Sequence, residues 1–257
     1  MLGIFDSGLG GLTVVKELLR RHPQASFVYL GDTARTPYGN KSKATVERYA
    51  VEDARFVVSE GAAALVVACN TMSALAIDAL RAAFPSLPIF EVVQPAVERA
   101  AVTSRGRIGI IGTRATVGSG LYEARLKQLR PDLTVFSTAC PLFVPLVEEG
   151  WLDHKVIKQV ARIYLASLCA KQIDTLILGC THYPLLIDVI KSRIGRRVRI
   201  VDSPSVIMDA ILRERPDLLN GSKTPIQRYF FSDANERTRQ VAMTWMGRSL
   251  LCEPALI

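Results

Sequence analysis

Two cysteines stand at matching places in this chain, and each sits where a thiol could exchange protons. Cys69 lies in Val67-Ala68-Cys69-Asn70-Thr71 and Cys180 in Leu178-Gly179-Cys180-Thr181-His182. Each follows a short apolar run and precedes small polar residues, the pattern of a strand ending where a helix begins. Backbone N–H groups and the positive end of a helix dipole at such a junction favour a thiolate. That help matters, because a free thiol with a pKa near 8.5 is only a few per cent ionised at neutral pH, as a rough guide. A free cysteine more often acts as a small buried hydrophobe. That plainer reading fits Cys169, next to the apolar stretch Tyr164-Leu165-Ala166-Ser167-Leu168, and Cys252 near the C-terminus. Cys140, beside Pro141, stays open between the two.

Three chemistries could use two thiols in one cleft. A redox pair usually takes the form C-x-x-C, which this chain lacks. A nucleophile with a separate base needs only one cysteine. Racemisation needs an acid and a base on opposite sides of one carbon, with the roles exchanged for the reverse direction. The two enantiomers have equal free energy, so a near-mirror pair of identical groups suits the task. Asp6 and His182 are placed to manage the protons: His182 is two residues beyond Cys180, and Asp6 ends a neighbouring strand.

The elements that must position these groups read as alternating strands and helices, the pattern of βαβ units. Strands are expected at Leu2–Phe5, Phe27–Leu30, Ala64–Val67, Ile89–Val92, Ile108–Ile111, Thr134–Ser137, Thr175–Leu178 and Val198–Val201. Helices are expected at Thr13–Arg20, Lys43–Glu60 and Lys155–Lys171, the first stopped by Pro23. The pattern also repeats. Ile4-Phe5-Asp6-Ser7 matches Ile110-Ile111-Gly112-Thr113, Phe27-Val28-Tyr29 matches Thr134-Val135-Phe136, and the Leu65 run matches the Leu176 run, at separations of 106, 107 and 111 residues. Both repeats carry cysteine just past the third strand. Ligands of open parallel sheets collect beyond the carboxyl ends of the strands. Asp6-Ser7, Gly31-Asp32, Cys69-Asn70-Thr71, Thr113, Cys140 and Cys180-Thr181-His182 all fall there, so two facing units would surround one cleft.

The loops at those ends are polar. Asp6-Ser7-Gly8-Leu9-Gly10-Gly11-Leu12-Thr13 lacks the G-K-[ST] ending of a phosphate loop, and Thr13 stands where a dinucleotide fingerprint has its third glycine. We expect these glycines to bring the backbone close to an anion such as a substrate carboxylate. Gly31 through Gly39 reads as a lid offering Tyr38 and backbone amides, or else as a surface turn set by Pro37 and Gly39. Asn70, Thr71 and Thr181 are hydrogen-bonding neighbours of the thiols. Glu148 lies in a loop where a glutamate is usually just solvated.

Composition narrows the field. With 49% hydrophobic and 22% charged residues, 257 residues can bury a core without staples or a structural metal. The five cysteines are too scattered for a disulfide framework, and only His22, His154 and His182 could offer nitrogen to zinc. The start has no basic leader, and the longest apolar stretch, Ala62 to Cys69, is far short of the roughly 20 residues of a spanning helix. We therefore expect a cytoplasmic protein with no membrane partner. A net charge of +8 raises nucleic acid as a partner. The basic residues are dispersed, however, and the one cluster, Lys191 to Arg199, has no interleaved aromatics to stack bases. A positive field would equally attract a dicarboxylate.

Taken together these segments resemble the glutamate racemases. The resemblance is carried by Phe5 through Thr13, Gly31 through Gly39, Val67 through Thr71, Ile108 through Val117 and Leu178 through Pro184, and runs from about residue 2 to about residue 247. It implies an α/β fold of two pseudo-twofold-related domains, each a mainly parallel sheet flanked by helices, with the active site in the cleft between them. The domains would be 1–92 plus 206–257, the C-terminal segment returning to the first domain, and 93–205. It implies interconversion of L- and D-glutamate without pyridoxal phosphate, metal or nucleotide, the D-glutamate serving peptidoglycan synthesis. Cys69 would handle the α-proton of D-glutamate and Cys180 that of L-glutamate, assisted by Asp6 and His182, with Glu148 a further acid–base group. Ser7, Tyr38, Gly39, Asn70, Thr71 and Thr181 would bind substrate, with Thr113 and Thr116 behind them. A homodimer is left open. Phe90-Glu91-Val92-Val93-Gln94-Pro95-Ala96 departs from the family, which often carries glycine for Glu91 and Pro-Gly for Pro95-Ala96. Two rivals stand beside this reading. One is an aspartate racemase of the same superfamily, whose members tend to carry glutamate where His182 stands. The other is a basic nucleic-acid-binding or regulatory module that has lost catalysis.

Overall fold

The computed structural model describes residues 1–221 and 224–257. Its strands are β1 (Leu2–Asp6), β2 (Phe27–Gly31), β3 (Ala64–Val67), β4 (Ile89–Glu91), β5 (Arg107–Gly112), β6 (Thr134–Ala139), β7 (Thr175–Gly179), β8 (Arg199–Asp202), β9 (Gln227–Phe231) and β10 (Cys252–Pro254). The first eight fall within a residue or two of where the apolar runs predict them. They form a six-stranded sheet ordered β10-β9-β2-β1-β3-β4 and a four-stranded sheet ordered β6-β5-β7-β8. Every strand pairing is parallel. The order β2-β1-β3-β4 in one sheet is reproduced by β6-β5-β7-β8 in the other. The internal repeat in the sequence is thus a repeat of topology.

Parallel strands covered on both faces read as continuous apolar runs. Accordingly β1, β2, β3 and β7 are buried along their whole length. The expected helices form at Leu12–Arg21, Lys43–Ser59 and Lys155–Ala170. Side-chain caps start several of them. Ser42 accepts from Thr45 N, Thr113 from Thr116 N, and Asp202 from Ser205 N, each satisfying an orphan donor of the first turn. One apolar cluster runs through both halves, joining Leu12, Val15 and Tyr29 to Phe143, Leu165 and Ile207. The two sheets are therefore held by a shared core as well as by the chain crossings.

Two strands escape the sequence reading. β9 pairs with β2 and β10 with β9, so the C-terminal segment extends the first sheet. The run Gln227-Arg228-Tyr229-Phe230-Phe231 is rich in residues that favour strands, and its aromatic rings pack on Phe27 and Tyr29. Among the described residues no helix is long and apolar enough to cross a membrane.

Candidate active site

Register places the chemistry. In the first sheet Phe5 lies opposite Val67, so the end of β1 brings Asp6 and Ser7 beside Cys69. In the second sheet Gly112 lies opposite Gly179, so Thr113 stands beside Cys180. The two sets face one another across a single cleft lined by Ser7, Cys69, Asn70 and Thr71 from one side and Cys180, Thr181 and His182 from the other. Thr36, Pro37, Tyr38, Gly39, Thr113 and Val144 complete the wall. The space inside is about 20 Å³, room for about one water molecule. An amino acid needs more room than that. A wider cavity of about 440 Å³ adjoins it, sharing Thr36, Pro37, Gly39, Thr113 and Val144. Those five residues are the partition between the outer cavity and the thiols.

The two thiols sit in different company. The Cys69 S–H donates to Ser7 Oγ at 3.3 Å. Burial, then the negative charge of Asp6, pushes the Cys69 thiol up to about 12, against the smaller help of Ser7 and the Met72 backbone. The expected thiolate-favouring junction is therefore corrected at Cys69. The helix it caps, Asn70–Leu75, is only six residues long, and desolvation of the charged form outweighs so small a dipole. On the opposite side Cys180 Sγ lies 3.8 Å from His182 Nδ1. His182 Nε2 lies 2.9 Å from Glu148 Oε1. Burial works against an imidazolium there, but the hydrogen bonds and charges of Cys180 and Glu148 win and raise His182 to about 10. At neutral pH His182 is a cation between a sulfur and a carboxylate, with the edge of Trp245 against its ring.

Asp6 is buried, and its pKa is raised by that burial, opposed by the positive charge of His182 and by hydrogen bonds from Gly11 N and Thr181. Thr181 Oγ1 donates to Asp6 Oδ1 at 3.2 Å, while Asp6 Oδ2 has no protein partner. A buried carboxyl oxygen left unpaired in a native site points to a role in chemistry. It is free to take a proton from, or return one to, a neighbour.

Several expected contacts change character in three dimensions. Tyr38 borders the cleft, but its side chain is fully buried and its hydroxyl donates to Asp32, with Asp53 close behind. It anchors the lid loop, and only its backbone and ring edge remain for the cleft. Gly39 approaches Thr113, where an added Cβ would lie 2.6 Å from Thr113 Cβ. The glycine run likewise serves protein contacts. A Cβ on Gly10 would lie 2.1 Å from Thr181 Oγ1 and 2.5 Å from His182 Nδ1, and one on Gly11 2.6 Å from Asp6 Cβ. Gly10 thus lets the first half close on the Cys180 loop, and Gly11 lets its own helix start close against Asp6. Gly10→Ala is predicted to displace Thr181 and His182 and lower kcat/KM by about 100-fold, the scale of a 1 Å misplacement, with the circular dichroism spectrum unchanged. Activity near that of the unaltered protein would show that the loop yields freely.

The remaining cysteines lie outside the cleft lining. Cys140 is buried and its pKa is raised by that burial, with Cys180 adding to the effect; Cys252 is buried in β10. Cys169 is half-buried and packs against the main apolar cluster, as the plainer reading expects, with its S–H donating to Arg193 O at 3.5 Å. Among the described residues no three His, Cys, Asp or Glu side chains are grouped as metal ligands would be. Thr71, Thr113 and Thr116 form a triangle of hydroxyls 3.0–3.1 Å apart across the two halves. Trp245, Tyr122 and Ser203 were not foreseen around the site. They come from helices with unremarkable periodicity, so no local signal singles them out.

Comparison with known proteins agrees with this geometry. The Asp/Glu/Hydantoin racemase family profile matches residues 10–211. A glutamate racemase of Geobacter metallireducens is 47% identical over 253 residues, covering 97% of this chain and 93% of its own. Among solved structures, a glutamate racemase isoform of Bacillus anthracis superposes with a TM-score of 0.94 at 36% identity, covering 100% of this chain and 97% of its own. The glutamate racemase of Francisella tularensis, solved with D-glutamate, superposes with a TM-score of 0.91 at 34% identity, with the same coverage.

Proposed function

Because the chain belongs to the Asp/Glu/Hydantoin racemase family and aligns with glutamate racemases along nearly its whole length, we propose that it interconverts L- and D-glutamate by proton exchange with Cys69 and Cys180. The observation that carries the reading is that two thiols, delivered by topologically equivalent strands of two parallel sheets, line one closed cleft. In this scheme the resting protein holds Cys69 as a neutral thiol, since its pKa is near 12, and keeps Cys180 beside the cationic His182. Cys180 takes the α-proton of L-glutamate while Cys69 delivers its own proton to the opposite face. D-glutamate leaves, and the protein is left with the proton on the other sulfur. Asp6, through its unpaired oxygen, returns a proton to Cys69, and the Cys180 proton passes to His182 Nδ1 as His182 Nε2 gives its own proton to Glu148 and on to solvent. Equal free energies of the enantiomers require equal kcat/KM in the two directions, whatever the asymmetry of the thiols.

Ser7, Gly39, Asn70, Thr71 and Thr181 are the substrate contacts in this reading, together with the backbone at Tyr38. The domain division 1–92 plus 206–257 and 93–205 is supported by the membership of the two sheets. The second crossing then falls at the start of the helix Ser203–Glu214. We place the protein in the cytoplasm, where its five free thiols would stay reduced, as a supplier of D-glutamate to peptidoglycan synthesis.

The test is polarimetry with L-glutamate in deuterated buffer without added cofactor. Rotation should decay to zero with deuterium at the α-carbon of the D product. L-aspartate should turn over about 10- to 200-fold more slowly, the discrimination one missing methylene supplies. Preference for aspartate would overturn the substrate assignment, and no loss of rotation with either would overturn the reaction.

A further inference from the structure

Between the two thiol-bearing turns lies a residue outside the cleft lining. Tyr122, on the helix Leu121–Leu129 of the second half, is 2% exposed. Its hydroxyl donates to Asn70 Oδ1 at 2.6 Å, and Asn70 follows Cys69 directly. Its ring packs on the strand end that delivers Cys180: a Cβ on Gly179 would sit 3.4 Å from Tyr122 Cε2. One rigid side chain thus touches the neighbour of each thiol. A second link runs beside it. Asn70 Nδ2 donates to Ser203 Oγ at 3.0 Å, and Ser203 Oγ lies 3.5 Å from Leu178 O, on the same strand as Gly179.

Resting on the racemase reading above, we propose that Tyr122, with Ser203, is a positioning residue that sets the spacing between the two sulfurs through Asn70. The chemistry demands such a part. One thiol must lie on each face of a single carbon, yet the two are carried by separate sheets. A tyrosine has two side-chain torsions, so it holds a length with little loss of order. The amide of Asn70 has one acceptor oxygen and two N–H donors; Tyr122 and Ser203 crowd the oxygen and Ser203 takes one donor, which leaves one N–H uncommitted. Asn70 is therefore a brace as much as a substrate contact.

If the brace is loosened, a carbanion formed by Cys180 waits longer for the proton of Cys69 and more often regains hydrogen from the side it lost it. Tyr122→Phe removes only the hydroxyl and keeps the ring against Gly179; Ser203→Ala removes the second link. Each is expected to lower kcat by about 10- to 100-fold, the scale of a sub-ångström to 1 Å misplacement, with KM changed less than about 2-fold. The decisive readout is the ratio of deuterium washed into unreacted L-glutamate to inversion, which should rise in both variants. An unchanged ratio in Tyr122→Phe overturns the proposal, whether or not activity or melting temperature falls, because a purely structural role would cut the active fraction without altering partition. Should Tyr122→Phe fail to fold, the ratio in Ser203→Ala decides in the same way. An unaltered protein that does not racemise glutamate would instead sink the underlying function, a result distinct from normal racemisation with an unaltered ratio in the variants.

Discussion

Cys69→Ala is expected to abolish racemisation, lowering kcat/KM by at least about 10⁴-fold, the upper end of what a positioned acid–base group supplies. The informative part is what remains. With Cys180 and His182 in place, the variant can still take the α-proton of L-glutamate and return a solvent deuteron to the same face. L-glutamate should therefore exchange its α-hydrogen with retention, while D-glutamate stays unlabelled. Cys180→Ala should show the mirror result, exchange of D-glutamate and an inert L enantiomer. Cys169→Ala and Cys252→Ala, outside the cleft lining, should keep most of the activity. Proton NMR of the α-position in deuterated buffer reads all four. Near-normal inversion in either of the first two variants, or labelling of the wrong enantiomer, would end the assignment of faces.

The second large effect concerns how Cys180 is kept ready. His182→Asn should cost about 10²- to 10⁴-fold in kcat/KM, the usual range for a proton-handling group. Its raised pKa also fixes a sign. The imidazolium contacts with Cys180 and Glu148 are complete below the ordinary histidine value of 6.5 and are lost as pH rises through about 10. The profile of kcat/KM should accordingly fall on its alkaline side near pH 10. Glu148→Gln keeps the imidazole and an acceptor for its Nε2–H but removes a negative charge that raises its pKa, so that limb should move to lower pH, with a smaller loss of rate. The acid limb belongs to Asp6 and should lie above the ordinary carboxyl value of 3.8, because burial holds its proton on. A profile in Glu148→Gln that superposes on that of the unaltered protein would show that His182 does not govern Cys180.

Most of the scaffold was legible along the chain, since strand runs, turn residues and a repeat are local properties. The eight predicted strands formed because each is a short apolar run that two covered faces can bury. β9 and β10 were missed for a different reason. β9 is held in the first sheet by pairing with β2 from some 200 residues away, and β10 by pairing with β9, while the polar start of β9 at Gln227 and Arg228 blurs its pattern. At Tyr38 and Gly10 the residue types were legible but their protein contacts were not. A polar side chain in a loop looks available to a ligand, yet the Tyr38 hydroxyl turns inward to Asp32. A glycine run signals a close backbone approach, but only the fold shows that Thr181 and His182 are what approach Gly10.

By itself the sequence determined that two like thiols would stand at equivalent strand ends of a duplicated α/β fold, because strand ends and repeats follow from residue order. Only the tertiary structure decided what surrounds those thiols and what keeps them apart. Burial and the charge of Asp6 hold the proton on Cys69, a cation at His182 stands by Cys180, and Tyr122 reaches between the two turns. Desolvation, through-space charge and packing depend on which distant residues meet, and chain folding alone brings them together.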